Sequence, residues 1–427
     1  MKFAVLRAAV LALVAAVSVS AYAAAGNVPS NIRRAKTAQP HLVEVKHKTA
    51  RKSAAVAKRT PAKSSRPARA VVGKGTPRAV RGRVQRANAV SRRHRSYERF
   101  TANSFSTTQG DGDIIAGEDP TIRAAAIDAL GNMNGTAVVI NPANGRILAM
   151  VNQKLALSPG AEPCSTIKLS VGLAALSEGL VTRDTPVNLG GFRMNMTEAL
   201  AKSNNLYFEE MGRELGFERV RHYATTFGLG ELAGYNIAGE QLGTYPDREL
   251  PANEGGVGRM CSFGQGVSMT PLQLGAFVAA IANGGTLYYL QHPTSQAEAA
   301  AYEPKVKRTL DIARFVPDLQ DGMAGAVEYG TARSLRVNFH ELPVFGKTGT
   351  CSDKGTRFGW FASFSDSPMG QLVTVFFLEG GRPVFGPRAA ELTGLFYRSL
   401  WDRNYFGGKE PVTASNQGAA TLLQAAH

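Results

Sequence analysis

The sequence is short of cysteine and long apolar runs, and each shortage excludes something. Three cysteines in 427 residues, Cys164, Cys261 and Cys351, form neither a CxxC pair nor a His/Cys cluster. No zinc site is indicated, and neither a metal nor another cofactor is expected. The apolar stretch Ala8–Val17 is too short for a comfortable membrane span. Acidic side chains nearly vanish between residues 24 and 100, where Glu44 and Glu98 stand against 21 Lys and Arg. Aromatic residues do not interleave with those cations, which argues against nucleic acid as the partner of the positive charge.

The first 25 residues read as a secretory signal, with Lys2 and Arg7 ahead of the apolar stretch and small residues around Ala21–Ala25 for cleavage. An uncleaved signal would instead act as a membrane anchor. The expected location is therefore the periplasm or cell envelope. The formal net charge of +16 is unevenly placed: +2 in the signal and +19 between residues 24 and 100. Residues 101–427 hold 26 basic and 31 acidic side chains, a balance of −5. Residues 26–110 lack apolar periodicity and are rich in Ala, Arg, Lys, Ser and Pro, too little apolar surface to offset the entropy of ordering. They read as a disordered basic linker, either a solvated spacer or an adhesive for an anionic envelope polymer or membrane surface. A folded domain is expected over 111–403 and a flexible tail over 404–427.

Within that domain, Cys164-Ser165-Thr166-Ile167-Lys168 opens an apolar run with helical spacing. Ser165 and Lys168 are about one helical turn apart and point from one face. A hydroxyl beside an amine is a nucleophile beside a base, provided burial or a second cation keeps the amine neutral. Alone, this pattern is common on solvated helices. Here Ser-x-x-Lys, Ser203-Asn204-Asn205 and Lys347-Thr348-Gly349 each occur once, with a short first gap and a long second one. That order matches the serine acyl-transfer motif set.

Gly135–Asn141 and Arg146–Val151 read as a hairpin across Pro142-Ala143-Asn144-Gly145. Helical patches are expected from Met196 to Met211 and from Glu218 to Phe227, with Ser203-Asn204-Asn205 at a loop or helix junction. Thr270-Pro271 fits the cap and first position of a helix running to about Ala282. An amphipathic segment follows over Leu319–Leu335. Strands are expected at Val344–Thr350, Phe358–Phe364 and Leu372–Leu378, and a last helix at Pro387–Trp401. The fold class is α+β: one antiparallel sheet completed by both chain ends, flanked by helices, with a helical insertion.

At this point residues 120–402 resemble the transpeptidase domain of penicillin-binding proteins, of the class B type. Glu162-Pro163, Phe263-Gly264-Gln265-Gly266, Thr270-Pro271-Leu272-Gln273, Ala282-Asn283-Gly284-Gly285 and Gly330-Thr331-Ala332 carry the resemblance beyond the three motifs. It implies the penicillin-binding-protein/β-lactamase-like fold. It implies Ser165 as acylated nucleophile, Lys168 as its general base, Ser203 as proton relay and Asn205 as holder of the substrate amide. Lys347 would lower the pKa of Lys168 and attract the substrate carboxylate, and Thr348, Gly349 and Thr350 would bind substrate. Backbone N–H groups of Ser165 and Thr350 would form the oxyanion hole. Peptidoglycan stem peptides and β-lactams are the partners implied.

The implied activity is that of a peptidoglycan D,D-transpeptidase. A D,D-carboxypeptidase, a β-lactamase and an envelope-attached β-lactam sensor or scaffold are the alternatives. Two departures stand out. The family usually has Gly where Cys164 stands and a small residue where Cys351 stands. The expectation is two or three buried free thiols; the alternative is a Cys164–Cys351 disulfide, which export permits. The large amino-terminal module of full-length class B proteins is also missing from the sequence.

Overall fold

The computed structural model describes residues 99–407. The expected signal, the basic segment up to residue 98 and residues 408–427 lie outside the described residues. Helix α1 (Pro120–Leu130) comes first, capped by the Asp119 carboxylate, which accepts from the amides of Thr121 and Ile122. Strands β1 (Gly135–Asn141) and β2 (Arg146–Val151) form the expected hairpin, with a register shift between Val139 and Ile140. The longer helices that follow are α2 (Lys168–Ser177), α3 (Met196–Ala201), α4 (Asn205–Thr226), α5 (Gly256–Phe263), α6 (Pro271–Ala282) and α7 (Val316–Glu328). The chain ends as β3 (Val344–Asp353), β4 (Thr356–Ser365), β5 (Leu372–Gly380) and α8 (Gly386–Asp402).

The sheet runs β2-β1-β5-β4-β3, with every neighbour antiparallel. Alternate side chains leave opposite faces of a strand, and here both faces are covered. Val138, Ile140, Trp360, Phe364, Val375 and Phe377 pack with residues of α2, α4 and α6 on one side. Ala137, Val139, Phe361, Phe376 and Leu378 pack with residues of α1 and α8 on the other. Double coverage explains why the strands read as near-continuous apolar runs. Each fully buried large side chain contributes about 1.5–3 kcal/mol. Strand β3 has one ladder partner, β4, and so lies at the sheet edge.

Helix α6 begins as its sequence predicts. Thr270 accepts from the Gln273 amide while the Gln273 side chain accepts from the Thr270 amide, a reciprocal capping box. The Met196–Met211 patch is split into α3 and α4, with Lys202–Asn204 between them, and the Asn204 side chain caps α4 by accepting from the Tyr207 amide. The expected second patch, Glu218–Phe227, is not separate. It forms the far limb of α4, beyond a break at Gly216 (φ 74°).

The ordered region starts before residue 110. Thr101 donates its amide to the Gly355 carbonyl, Asn134 donates to the Ser104 carbonyl, and the Ser104 hydroxyl accepts from the Gly381 amide. These bonds use main-chain groups and one serine hydroxyl at the open ends of the sheet, so composition gives no sign of them. Phe406, expected in a frayed tail, is buried in the cluster beneath α8 for the same kind of reason: one apolar side chain is too little periodicity to read.

Helices α4 and α5 cross closely at Gly212, where an added Cβ would lie 2.7 Å from the Cys261 sulfur. Gly212→Ala should lower stability by about 1–3 kcal/mol through overpacking. A thermal melt of the variant that superimposes on wild type would contradict this packing.

Candidate active site

Ser165 lies in a 3₁₀ turn, Cys164–Ile167, that feeds α2. Its amide is among the first of that turn, which have no intrahelical acceptor. Lys168 opens α2 and is fully buried. Its Nζ lies 2.9 Å from Ser165 Oγ, 2.6 Å from Asn205 Oδ1, 2.9 Å from the Ser203 carbonyl oxygen and 3.1 Å from Ser203 Oγ.

Ser203 belongs to the break between α3 and α4 and takes φ of 53°, in the left-handed region. That conformation turns both its carbonyl and its hydroxyl toward Lys168. Asn205 is the first residue of α4. With Oδ1 occupied by Lys168, its amide nitrogen is left to donate elsewhere.

Lys347 sits on β3, fully buried, and its Nζ donates to Ser203 Oγ (2.8 Å) and to the Thr348 carbonyl (3.0 Å). Gly349 abuts the nucleophile turn: an added Cβ would lie 2.8 Å from the Pro163 carbonyl, so any side chain would push β3 away. Thr348 and Thr350 share the opposite side of the strand. The Thr348 and Thr331 hydroxyls are 2.6 Å apart. Thr350 Oγ1 accepts from the Gly386 amide at the start of α8 (2.7 Å), which leaves its own proton free to be donated. Five of the eight sequence-predicted residues, Ser165, Lys168, Ser203, Asn205 and Lys347, thus share one hydrogen-bond network where α2, the α3–α4 break and the edge strand meet, while Thr348, Gly349 and Thr350 continue the edge strand beside it.

Two cations flank one hydroxyl, and both are out of water. Burial first, and the Lys347 charge second, lower the Lys168 ammonium to about 6, while the Glu209 carboxylate opposes them. Burial lowers Lys347 to about 7. Lys168 is thus lowered by burial and by its charged neighbour together, which favours it as the neutral partner. A neutral amine has one lone pair and two N–H groups. The lone pair can accept from Ser165, and the two donors match Asn205 Oδ1 and the Ser203 carbonyl.

Three contributors carry no role in the sequence reading. Thr331 belongs to the Gly330-Thr331-Ala332 match, where nothing signalled its hydroxyl partner Thr348. Gly386 acts through its backbone alone. Glu209 stands one turn beyond Asn205 on α4, and that spacing was the available signal.

The expectation of free thiols is corrected. Cys164 and Cys351 form a disulfide with Cα atoms 5.5 Å apart across 187 residues, and Cys261 remains a buried free thiol. The positions meet because Gly349 lets β3 lie against the turn that carries Cys164. On a chain-entropy account a loop of that length stabilises the fold by about 5 kcal/mol.

The penicillin binding protein transpeptidase domain model matches residues 135–382, a span holding the five strands of the main sheet and the eight residues above. Stage V sporulation protein D of Bacillus subtilis (strain 168) is 31% identical over 258 residues, 50% of this chain and 39% of that protein. Peptidoglycan D,D-transpeptidase MrdA of Acinetobacter baumannii is 24% identical over 363 residues, 67% of this chain and 53% of the relative. The chain therefore spans about half or less of the length of these relatives. A solved structure described as a peptidoglycan glycosyltransferase from Burkholderia ambifaria shares the fold, with a TM-score of 0.56 at 19% identity over 68% of this chain and 98% of that one. The D,D-transpeptidase domain from Eggerthella lenta gives 0.54 at 19% identity, covering 67% and 82%. With the matched span covering more than half of its length, the chain belongs to the penicillin-binding protein transpeptidase family.

Proposed function

We propose that the protein is a peptidoglycan D,D-transpeptidase that works through an acyl-enzyme on Ser165, and that β-lactams acylate the same serine. The observation that carries this reading is the buried Lys168 amine, 2.9 Å from Ser165 Oγ and lowered to about 6. The family supports it, as does the activity in MrdA's name.

Lys168 Nζ takes the Ser165 proton as Oγ attacks the carbonyl carbon of the penultimate D-alanine. The oxyanion is held by the Ser165 and Thr350 amides, and losing one such donor costs about 2.7–4 kcal/mol in the barrier. Ser203 Oγ gives its proton to the leaving nitrogen and is resupplied from Lys168, 3.1 Å away. The C–N bond breaks, D-alanine leaves, and an ester remains on Ser165. An acceptor amine then attacks the ester and the proton path reverses, returning the proton to Ser165 Oγ. Lys347, still charged, together with Thr348 and Thr350 receives the terminal carboxylate, and Asn205 Nδ2 holds the substrate amide.

Ser165→Ala should abolish covalent labelling by a fluorescent penicillin. Lys168→Arg keeps charge but cannot accept a proton, and should slow acylation by about 10²–10⁴-fold, the usual worth of a general base. Lys347→Arg should retain more activity, because its role uses charge. Labelling of folded Ser165→Ala, or Lys168→Arg acylating at the wild-type rate, would remove that residue from the mechanism.

The pH dependence has a definite sign. Acylation by benzylpenicillin should rise as pH climbs through about 6, where Lys168 becomes neutral, and fall as it climbs through about 7, where Lys347 loses the charge that attracts the carboxylate. A flat second-order rate constant between pH 5 and 8 would contradict this pairing of base and cation.

The +19 charge between residues 24 and 100 supports a second part of the proposal. Exported with the signal, this stretch would hold the domain to an anionic envelope surface. Deleting residues 26–98, which leaves Thr101 and Ser104 in place, should leave acylation unchanged while releasing the protein from envelope fractions. Loss of acylation by the folded, truncated protein would place that stretch in the site.

A further inference from the structure

Cys164 immediately precedes Ser165, and Cys351 immediately follows Thr350. The disulfide therefore joins the two residues adjacent to the paired amide donors, one on the nucleophile turn and one on the edge strand. Among the described residues, no main-chain hydrogen bond joins these two elements directly. Among the same residues β3 has β4 as its one ladder partner, with Thr350 opposite Gly359. Beyond it the chain turns through exposed Asp353 and Lys354, the latter at φ of 44°. The other links run through side chains: Trp360 Nε1 on β4 to the Glu162 carbonyl (3.0 Å), and Lys347 through Ser203 Oγ and Lys168 to Ser165 Oγ.

The backbone at Cys164 carries its own sign of constraint. Its φ is 51°, a region that a non-glycine residue occupies only when its surroundings dictate it. A cross-link to β3 supplies that dictation. Cys164 is fully buried, whereas Cys351 is partly accessible to a reductant. Cys261 is buried against Gly212 on the α4–α5 crossing and lies apart from this link.

We propose that Cys164 and Cys351 are positioning residues for acylation: their disulfide fixes the spacing between the Ser165 and Thr350 amides, and so sets the rate of bond formation rather than the affinity of binding. This rests on the reading of Ser165 as the acylated nucleophile. The oxyanion develops only after attack begins. A looser pair of donors therefore weakens the transition state and leaves the preceding complex alone.

The test uses the full chain and benzylpenicillin, separating the dissociation constant of the initial complex from the first-order acylation constant. Three forms are compared: oxidised wild type, wild type reduced by dithiothreitol, and Cys164→Gly/Cys351→Ala. Reduction adds two electrons and two protons across the sulfur–sulfur bond, supplied as dithiothreitol closes into its cyclic disulfide; intact mass confirms it. Reduced wild type and the double variant should acylate about 10–100-fold more slowly, less than the full loss of one donor, with the initial complex unchanged within about threefold. Reoxidation should restore wild type and leave the double variant as it was. The dithiothreitol effect should persist in Cys261→Ala. Circular dichroism at the assay temperature establishes folding, and if the double variant does not fold, the reduced wild type decides. Equal acylation constants in all forms would overturn the proposal while leaving Ser165 as nucleophile, and so would a weaker initial complex at an unchanged acylation constant. Absence of any adduct on oxidised wild type would overturn the Ser165 assignment and this proposal with it.

Discussion

Two buried amines meet at one serine hydroxyl, and the rest of the domain exists to hold them there. Lys168 and Lys347 both lie within hydrogen-bond reach of Ser203 Oγ, and neither is exposed to solvent. Two adjacent ammonium ions in such surroundings are unfavourable, and burial together with the neighbouring charge lowers Lys168. The proposed proton transfer at neutral pH draws on that lowering, since a lysine in water would stay charged. A domain must be rigid to impose it. The alternative, letting either side chain swing into solvent, would restore its ordinary basicity.

Rigidity comes from layering. The sheet is covered on both faces, and the helical insertion between β2 and β3 brings α2 and the α3–α4 break to the free edge of the sheet. The edge matters because β3 can present Lys347 and Thr350 laterally only where no further strand is paired. Small residues make the approach close enough: Gly349 against the Pro163 carbonyl, and the amide of Gly386 against Thr350.

Much of this was legible in the sequence. The hairpin bounds, the cap at Thr270 and the junction at Ser203 could be read, and so could the three motifs that supply the proposed site residues, because each depends on local residue chemistry or on an unusual motif order. The break at Gly216 was not legible. Nor was the attachment of residues 101–104, since main-chain hydrogen bonds leave no trace in composition. The disulfide was misjudged for a different reason. Its two cysteines stand 187 residues apart, and what makes them neighbours is the contact between β3 and the nucleophile turn. Thr331 and Gly386 were missed because one needs a spatial partner to be noticed and the other acts without a side chain.

The sheet topology also governs when the protein can become active during its synthesis. Strand β1 pairs with β5, so that Gly135 waits for Leu378 before its ladder can close. Such non-local pairing is slow to form, because loop closure precedes any gain from contact. Until residues beyond 380 have emerged, β1 and β2 are an isolated hairpin, a structure that is marginal in water. Lys347 and Thr350 then have no finished sheet to stand on. A ribosome stalled between Ser165 and the last helix therefore carries a chain whose Ser165 is made but whose Lys347 and Thr350 have no finished sheet to bring them beside it.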